Sequence, residues 1–354
     1  MRPFDQSKRY FRLRLSGTRR LSPAYFALVM ATGIVSIAAD REGFRTIAAA
    51  LLWLNAGQYL VLWILTSWRL LRYRRAMVDD LTDHGSGPGF LSTVAATGVM
   101  GNQLLLAGAF DLALGLWIFD FFLWIILTYG IFTILTIKET KPTIDQGING
   151  AWLLAVVATQ SIALLSALIS RHFEQPLRLH VNFVALSMWL WGGMMYIWII
   201  SLIFYRKTFF KFSPADFSSS YWINMGAMAI STLAGSVLIE NAVDAPFLET
   251  LLPFLKGFTI FFWSTATWWI PMLFILGVWR LLCRKWLWYE PLYWGAVFPL
   301  GMYAVCTSEM ARAMSLDFLL PISGVFVYVA LLAWATTFVG LIKSLVSSLI
   351  PALR

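Results

Sequence analysis

Long apolar stretches separated by short polar segments set the rhythm of this chain. Ten of them reach or approach the roughly 20 apolar residues that a transmembrane helix needs. They run Leu21–Ala39, Ile47–Trp68, Phe90–Phe110, Leu112–Ile137, Ile148–Ile169, Val181–Tyr205, Tyr221–Ile239, Phe258–Trp279, Leu292–Ser308 and Phe318–Ile342. The ninth is the shortest, 17 residues with Pro299 inside it. The first has a basic lead-in, but it is longer than a signal-peptide core and nine more follow, so it reads as a span. The pattern predicts an all-α integral membrane protein. It has a basic N-terminal segment 1–20, a single ten-helix transmembrane domain 21–342 and a short tail 343–354.

Composition narrows the class. Of 354 residues, 59% are hydrophobic and 13% charged, against about 25% charged in a soluble domain. A soluble enzyme, a disordered chain and a coiled coil are excluded. A net charge of +9 in a soluble protein points to nucleic acid; at this charge density it points to a bilayer, and no nucleic-acid partner is expected. Of the 27 Lys and Arg, 21 fall on the N-terminal segment, the loops after even spans and the C-terminal end, and 6 on the loops after odd spans. Basic residues concentrate on the cytoplasmic side. The split therefore predicts a multi-pass protein of the cell (plasma or inner) membrane with both termini in the cytoplasm.

The spans fall into two classes. The odd ones average 19.6 residues and the even ones 24, and 13 of the 18 Trp lie in even spans. Bulky aromatics suit a lipid-facing or interfacial surface, while small residues and short, broken helices suit a protein-lined interior. A weak repeat runs through the inner class. Ala31-Thr32-Gly33, Ala96-Thr97-Gly98 and Ala158-Thr159-Gln160 follow one another at 65 and 62 residues, and spans seven and nine carry Gly226-Ala227 and Gly295-Ala296. Such repeats imply a ring of five similar hairpins. Thr32, Gly33, Thr97, Gly98, Thr159, Gly226 and Gly295 are then the candidates to line its axis. No odd span has an interior Lys or Arg, so a path there is polar but almost uncharged. Glu309 and Arg312, at the end of span nine, are the candidate mouth charges.

The stretch from Ser22-Pro23-Ala24-Tyr25-Phe26 to Met30-Ala31-Thr32-Gly33 resembles the first helix of the tellurite-resistance/dicarboxylate transporter family. Its members include bacterial tellurite-resistance channels, fungal malate and sulfite transporters and plant slow anion channels. Tyr293-Trp294-Gly295-Ala296-Val297-Phe298-Pro299-Leu300-Gly301-Met302 resembles that family's ninth helix. The resemblance implies ten helices arranged as five hairpins in quasi-fivefold order around a central pore, and a homotrimer with one pore per protomer. It also implies that Phe298 plugs the pore. Independently, Pro299 lacks an N–H and disfavours a straight helix, and a ring-sized apolar plug closes a narrow tube by volume and dewetting. One departure is the fifth span, Ala155-Val156-Val157-Ala158-Thr159-Gln160, which has no proline where some relatives carry one.

The remaining polar residues carry less. Asp120 is the one acid inside a span, and intramembrane acids are costly and functional by default; it is the candidate for proton coupling. Arg69, Arg72, Arg74 and Arg75 are expected to meet lipid headgroups. His84, His172 and His180 fall in loops, so no haem site is expected. Asp79-Asp80-Leu81-Thr82-Asp83-His84 reads as a solvated connection rather than a metal site. No hydrolase or nucleotide-binding motif occurs, so no enzyme and no cofactor is expected. Two functions compete: a channel for small anions, and a proton-coupled secondary transporter of C4-dicarboxylates such as malate or of tellurite- or sulfite-type oxyanions.

Overall fold

Ten long helices organise the computed structural model, which describes residues 18–19, 21–214, 216–283 and 289–349, with side chains as far as 347. They are α1 (Ala27–Arg41), α2 (Arg45–Arg72), α3 (Ser92–Leu106), α4 (Phe110–Ile137) and α5 (Leu154–Ser170). The second half adds α6 (Leu177–Phe209), α7 (Ile223–Asn241), α8 (Leu252–Cys283), α9 (Trp294–Met314) and α10 (Leu320–Leu349). The expected N-terminal segment 1–20 lies outside the described residues except for 18–19, whereas residues 343–349 of the expected tail continue α10 and 350–354 lie outside.

The two classes of span are two layers. In the inner layer α1 packs on α3, α3 on α5, α5 on α7, α7 on α9, and α9 returns to α1, which closes a ring of five. Each even helix lies outside, against the odd helix before it and the odd helix after it, with α10 bridging α9 and α1. In the most apolar stretch of α5 and of α7, 94% of residues are buried, against 17% in α8 and 11% in α10. The outer helices have 28 to 33 residues, about 42–50 Å at 1.5 Å per residue. That exceeds the roughly 30 Å of bilayer hydrocarbon. The inner helices, of 15 to 21 residues, are shielded from lipid and need not match it.

Among the described residues, eight helices are long and apolar enough to cross a membrane. The two that fall short are α3 and α9. Both are buried members of the inner ring, shielded from lipid by the outer helices.

Each inner helix is entered through a 3-10 turn: Pro23–Phe26, Gly87–Leu91, Gly150–Leu153, Ser219–Trp222 and Pro291–Tyr293. Residues of restricted or permissive backbone start four of the five, and side chains finish two of them. Ser22 Oγ accepts from the Ala24 N–H at 3.3 Å and Asn149 Oδ1 from the Ala151 N–H at 2.8 Å. Glycine is required at Gly150, where a Cβ would lie 2.5 Å from the Ser220 carbonyl. At the opposite end the hairpins turn tightly, through Gly43 (φ +83°) and Gly108 (φ +80°). Gly108 corrects one expected boundary. The third span does not run to Phe110: its helix stops at Leu106, and Phe110 opens α4.

A second correction concerns the basic face after span two. Arg69 is buried, not at a lipid surface. Its guanidinium is ion-paired with Asp80, and its Nε donates to the Arg19 carbonyl at 3.2 Å.

An axial cavity with a charged mouth

Among the hydrogen bonds between the outer and inner layers, one set of five recurs once per repeat, each joining an even helix to the odd helix that follows it. Trp124 Nε1 donates to Thr159 Oγ1 at 2.9 Å, and Trp263 Nε1 to Thr307 Oγ1 at 2.9 Å. Trp189 Nε1 donates to the Ser231 carbonyl at 2.8 Å. Tyr59 and Thr97 share a hydroxyl bond at 3.0 Å, and Trp334 Nε1 donates to Thr32 Oγ1 at 3.0 Å. These bonds decide where the repeated threonines point. Thr32, Thr97 and Thr159 do occupy equivalent positions, but their hydroxyls face the outer helices, and none of the three lines the axial cavity. Satisfying an indole N–H inside the bilayer is the stronger demand. The equivalents in the other two repeats are Ser231 and Thr307, not Gly226 and Gly295.

The glycines beside them permit close approach. A Cβ on Gly33 would sit 2.4 Å from Val99 Cγ1 and 2.8 Å from Asn55 Nδ2. One on Gly98 would sit 2.8 Å from Ser161 Cβ and 3.1 Å from Asp120 Oδ2. Gly295 has only ordinary clearance, 3.6 Å from the Ser219 carbonyl.

The axis itself is occupied by a narrow cavity of about 40 Å³ to which all five inner helices contribute. A single water needs about 10–15 Å³ of such space, so the cavity holds only a few. Its walls are apolar: Ile34, Val99, Leu164, Leu233, Met302 and their neighbours. Asn102 supplies an amide whose Oδ1 has no hydrogen-bond partner. Arg41 and Glu309 supply the charge.

Phe298 lies beyond this cavity, toward the start of α9. At 3.6 residues per turn it shares a face with Met302, Val305 and Glu309, which line the cavity. By the same spacing Gly226 shares a face of α7 with the cavity-lining Leu233 and Val237. The two stripes meet: a Cβ on Gly226 would lie 3.2 Å from Phe298 Cε1 and 2.9 Å from Pro299 Cγ. Phe298 is buried. Pro299 sits within a continuous helix and offers no N–H to the Gly295 carbonyl.

At the far end of α9, Glu309 Oε1 is shared by two guanidinium groups, Arg41 Nη1 at 2.5 Å and Arg312 Nη1 at 3.2 Å. Asp120 belongs to the outer helix α4 but is fully buried, and neither of its carboxyl oxygens has a hydrogen-bond partner. The missing side chain of Gly98 lets it reach the inner layer beside Ser161.

Comparison with known sequences fits this architecture. The profile of the voltage-dependent anion channel family matches residues 20–342, nearly the whole chain. The chain belongs to the voltage-dependent anion channel family. Two transporters of Methanocaldococcus jannaschii, themselves uncharacterized, are similar along almost their full length. One is 25% identical over 93% of this chain and 96% of its own, the other 24% identical over 92% and 94%. An uncharacterized membrane protein of Mycobacterium tuberculosis is 35% identical over 156 residues, which is 44% of this chain and 79% of its own. This family is one of membrane transporters and channels for anions, and the buried inner ring within an apolar outer layer is that of a membrane protein.

For this member of the anion channel family, sequence reasoning passed over Arg41 and the apolar lining. In the sequence Arg41 stands only as a basic residue of the loop after the first span. The signal was present: the offset of 65 that relates Thr32 to Thr97 also relates Ile34, Ile37 and Arg41 to Val99, Asn102 and Leu106, and all six line the cavity.

Proposed function

We propose that the chain is a channel that passes small anions along the axis of the inner ring, with Phe298 as an aromatic plug. The observation that carries this reading is the cavity to which all five inner helices contribute, closed toward the α9 N-terminus where the Phe298 stripe meets Gly226. A path this narrow and apolar blocks a hydrated ion until the plug moves. Orientation by basic residues puts the Arg41–Glu309 end outside and both termini in the cytoplasm of a cell-membrane protein. The apolar outer layer faces lipid and, in this reading, two further copies of the chain in a homotrimer. The direct test is flux of chloride, nitrate, sulfite and malate into proteoliposomes of purified protein, with and without a pH gradient. A channel gives passive flux of the small anions that follows their gradient alone.

A second reading is a proton-coupled carrier of C4-dicarboxylates or of tellurite- or sulfite-type oxyanions. One observation favours it, the unpartnered carboxyl of Asp120 against the inner ring. It predicts saturable malate or oxyanion uptake that requires the pH gradient.

A further inference from the structure

Among the described residues, two charged ones, Arg41 of α1 and Glu309 of α9, line the axial cavity, and they are paired with each other across its mouth. Their surroundings are unequal. Glu309 is 7% exposed, whereas Arg41 is 32% and Arg312 is 49% exposed. Beside them Arg171 is held by Glu240 at 2.7 Å and by Asn241 Oδ1 at 2.7 Å. Three arginines and two glutamates therefore meet where the inner helices end, with Asp40 and Glu42 flanking Arg41 in the chain. Three of the six basic residues on the loops after odd spans converge there. Of the three, only Arg41 reaches the axis.

We infer that Arg41 is an anion-binding residue at the mouth of the path and that Glu309 is its built-in competitor. The inference rests on the proposal that anions travel along the axis. Arg41 carries a planar set of donors suited to chloride, nitrate or a carboxylate. Glu309 already occupies it with a carboxylate on the chain. An anion entering from this side replaces the Glu309 carboxylate on Arg41, and Glu309 keeps its contact with Arg312. The arrangement holds a fixed guanidinium at the lip, which draws anions to it. It also prevents tight capture, because the bound anion must compete with a tethered one, and conduction requires binding that is easily reversed. Immediately inside lie Ile37, Val305 and Val237, so the ion sheds water beside the one guanidinium that faces it.

The experiment is concentration-dependent chloride and nitrate flux in proteoliposomes for the wild type, Glu309→Gln and Arg41→Gln, with folding checked by size exclusion. Glu309→Gln is expected to lower the half-saturating anion concentration roughly threefold, the scale of a partly exposed ion pair. Arg41→Gln is expected to raise it by a similar factor, and the double variant to behave as Arg41→Gln. Where Glu309→Gln does not fold, Glu309→Asp keeps the charge, loosens the pair and gives a smaller shift in the same direction. Shifts of the same sign in the Glu309 and Arg41 variants, or no shift in either, overturn the competition while leaving axial transport intact. A wild type that moves no anion overturns axial transport, and the competition with it.

Discussion

The indole N–H of Trp334 donates to Thr32 Oγ1 at 3.0 Å and so joins the last long helix to the first. It is the fifth member of a repeated tie, and it closes the ring. Interhelical hydrogen bonds in membranes couple by about 0.6 kcal/mol on average and up to about 1.7. A double-mutant cycle with Thr32→Val and Trp334→Phe, followed by reversible unfolding in mixed micelles, is expected to give a coupling in that range. Additive effects of the two changes would remove the tie from the account.

Close approach at Gly33 makes a second prediction. Gly33→Ala puts a Cβ within 2.4 Å of Val99 Cγ1, and overpacking of this kind costs about 1–3 kcal/mol. Gly57→Ala, with nothing within 4 Å, is the matched control in a helix and is expected to stabilise by about 0.5–1 kcal/mol. The same unfolding assay reads both. Equal effects at the two positions would contradict the packing described for α1, α2 and α3.

Asp120 separates the two functional readings. Its carboxyl is buried without a partner, so Asp120→Asn removes a costly ionisable group and is expected to leave melting temperature unchanged or raised. In the channel reading chloride flux persists in this variant and ignores the pH gradient. In the coupled reading Asp120→Asn abolishes the gradient dependence of uptake.

Topology can be read from the two cysteines. Cys283, at the end of α8, is exposed, and Cys306 is buried. A membrane-impermeant maleimide is expected to label Cys283 in inside-out vesicles and not in right-side-out ones, with Cys283→Ser abolishing the signal. Labelling from the outer face would invert the assigned orientation.

What the sequence could and could not reveal follows from the kind of signal each feature leaves. Length and Trp content separate inner from outer helices because lipid contact acts on whole spans, and the two layers appear as expected. The direction of one hydroxyl is a finer matter. Thr32, Thr97 and Thr159 mark the repeat correctly, yet face outward, because the partner that claims each is an aromatic on a different hairpin. The match of Gly226 and Gly295 to that repeat fails for a related reason. Glycines recur wherever helices crowd, whereas the true equivalents, Ser231 and Thr307, are defined by Trp189 and Trp263. Arg69 looked like part of a lipid-facing basic face because its partner, Asp80, becomes a neighbour only when the chain turns back after α2.

An axial path plugged by Phe298 is put to the test by chloride flux through Phe298→Ala in proteoliposomes. Lowering the barrier by only about 1.4 kcal/mol raises the rate about tenfold, so removal of the plug is expected to give a passive flux at least that much faster than wild type. Flux equal to wild type in a folded Phe298→Ala protein would contradict it.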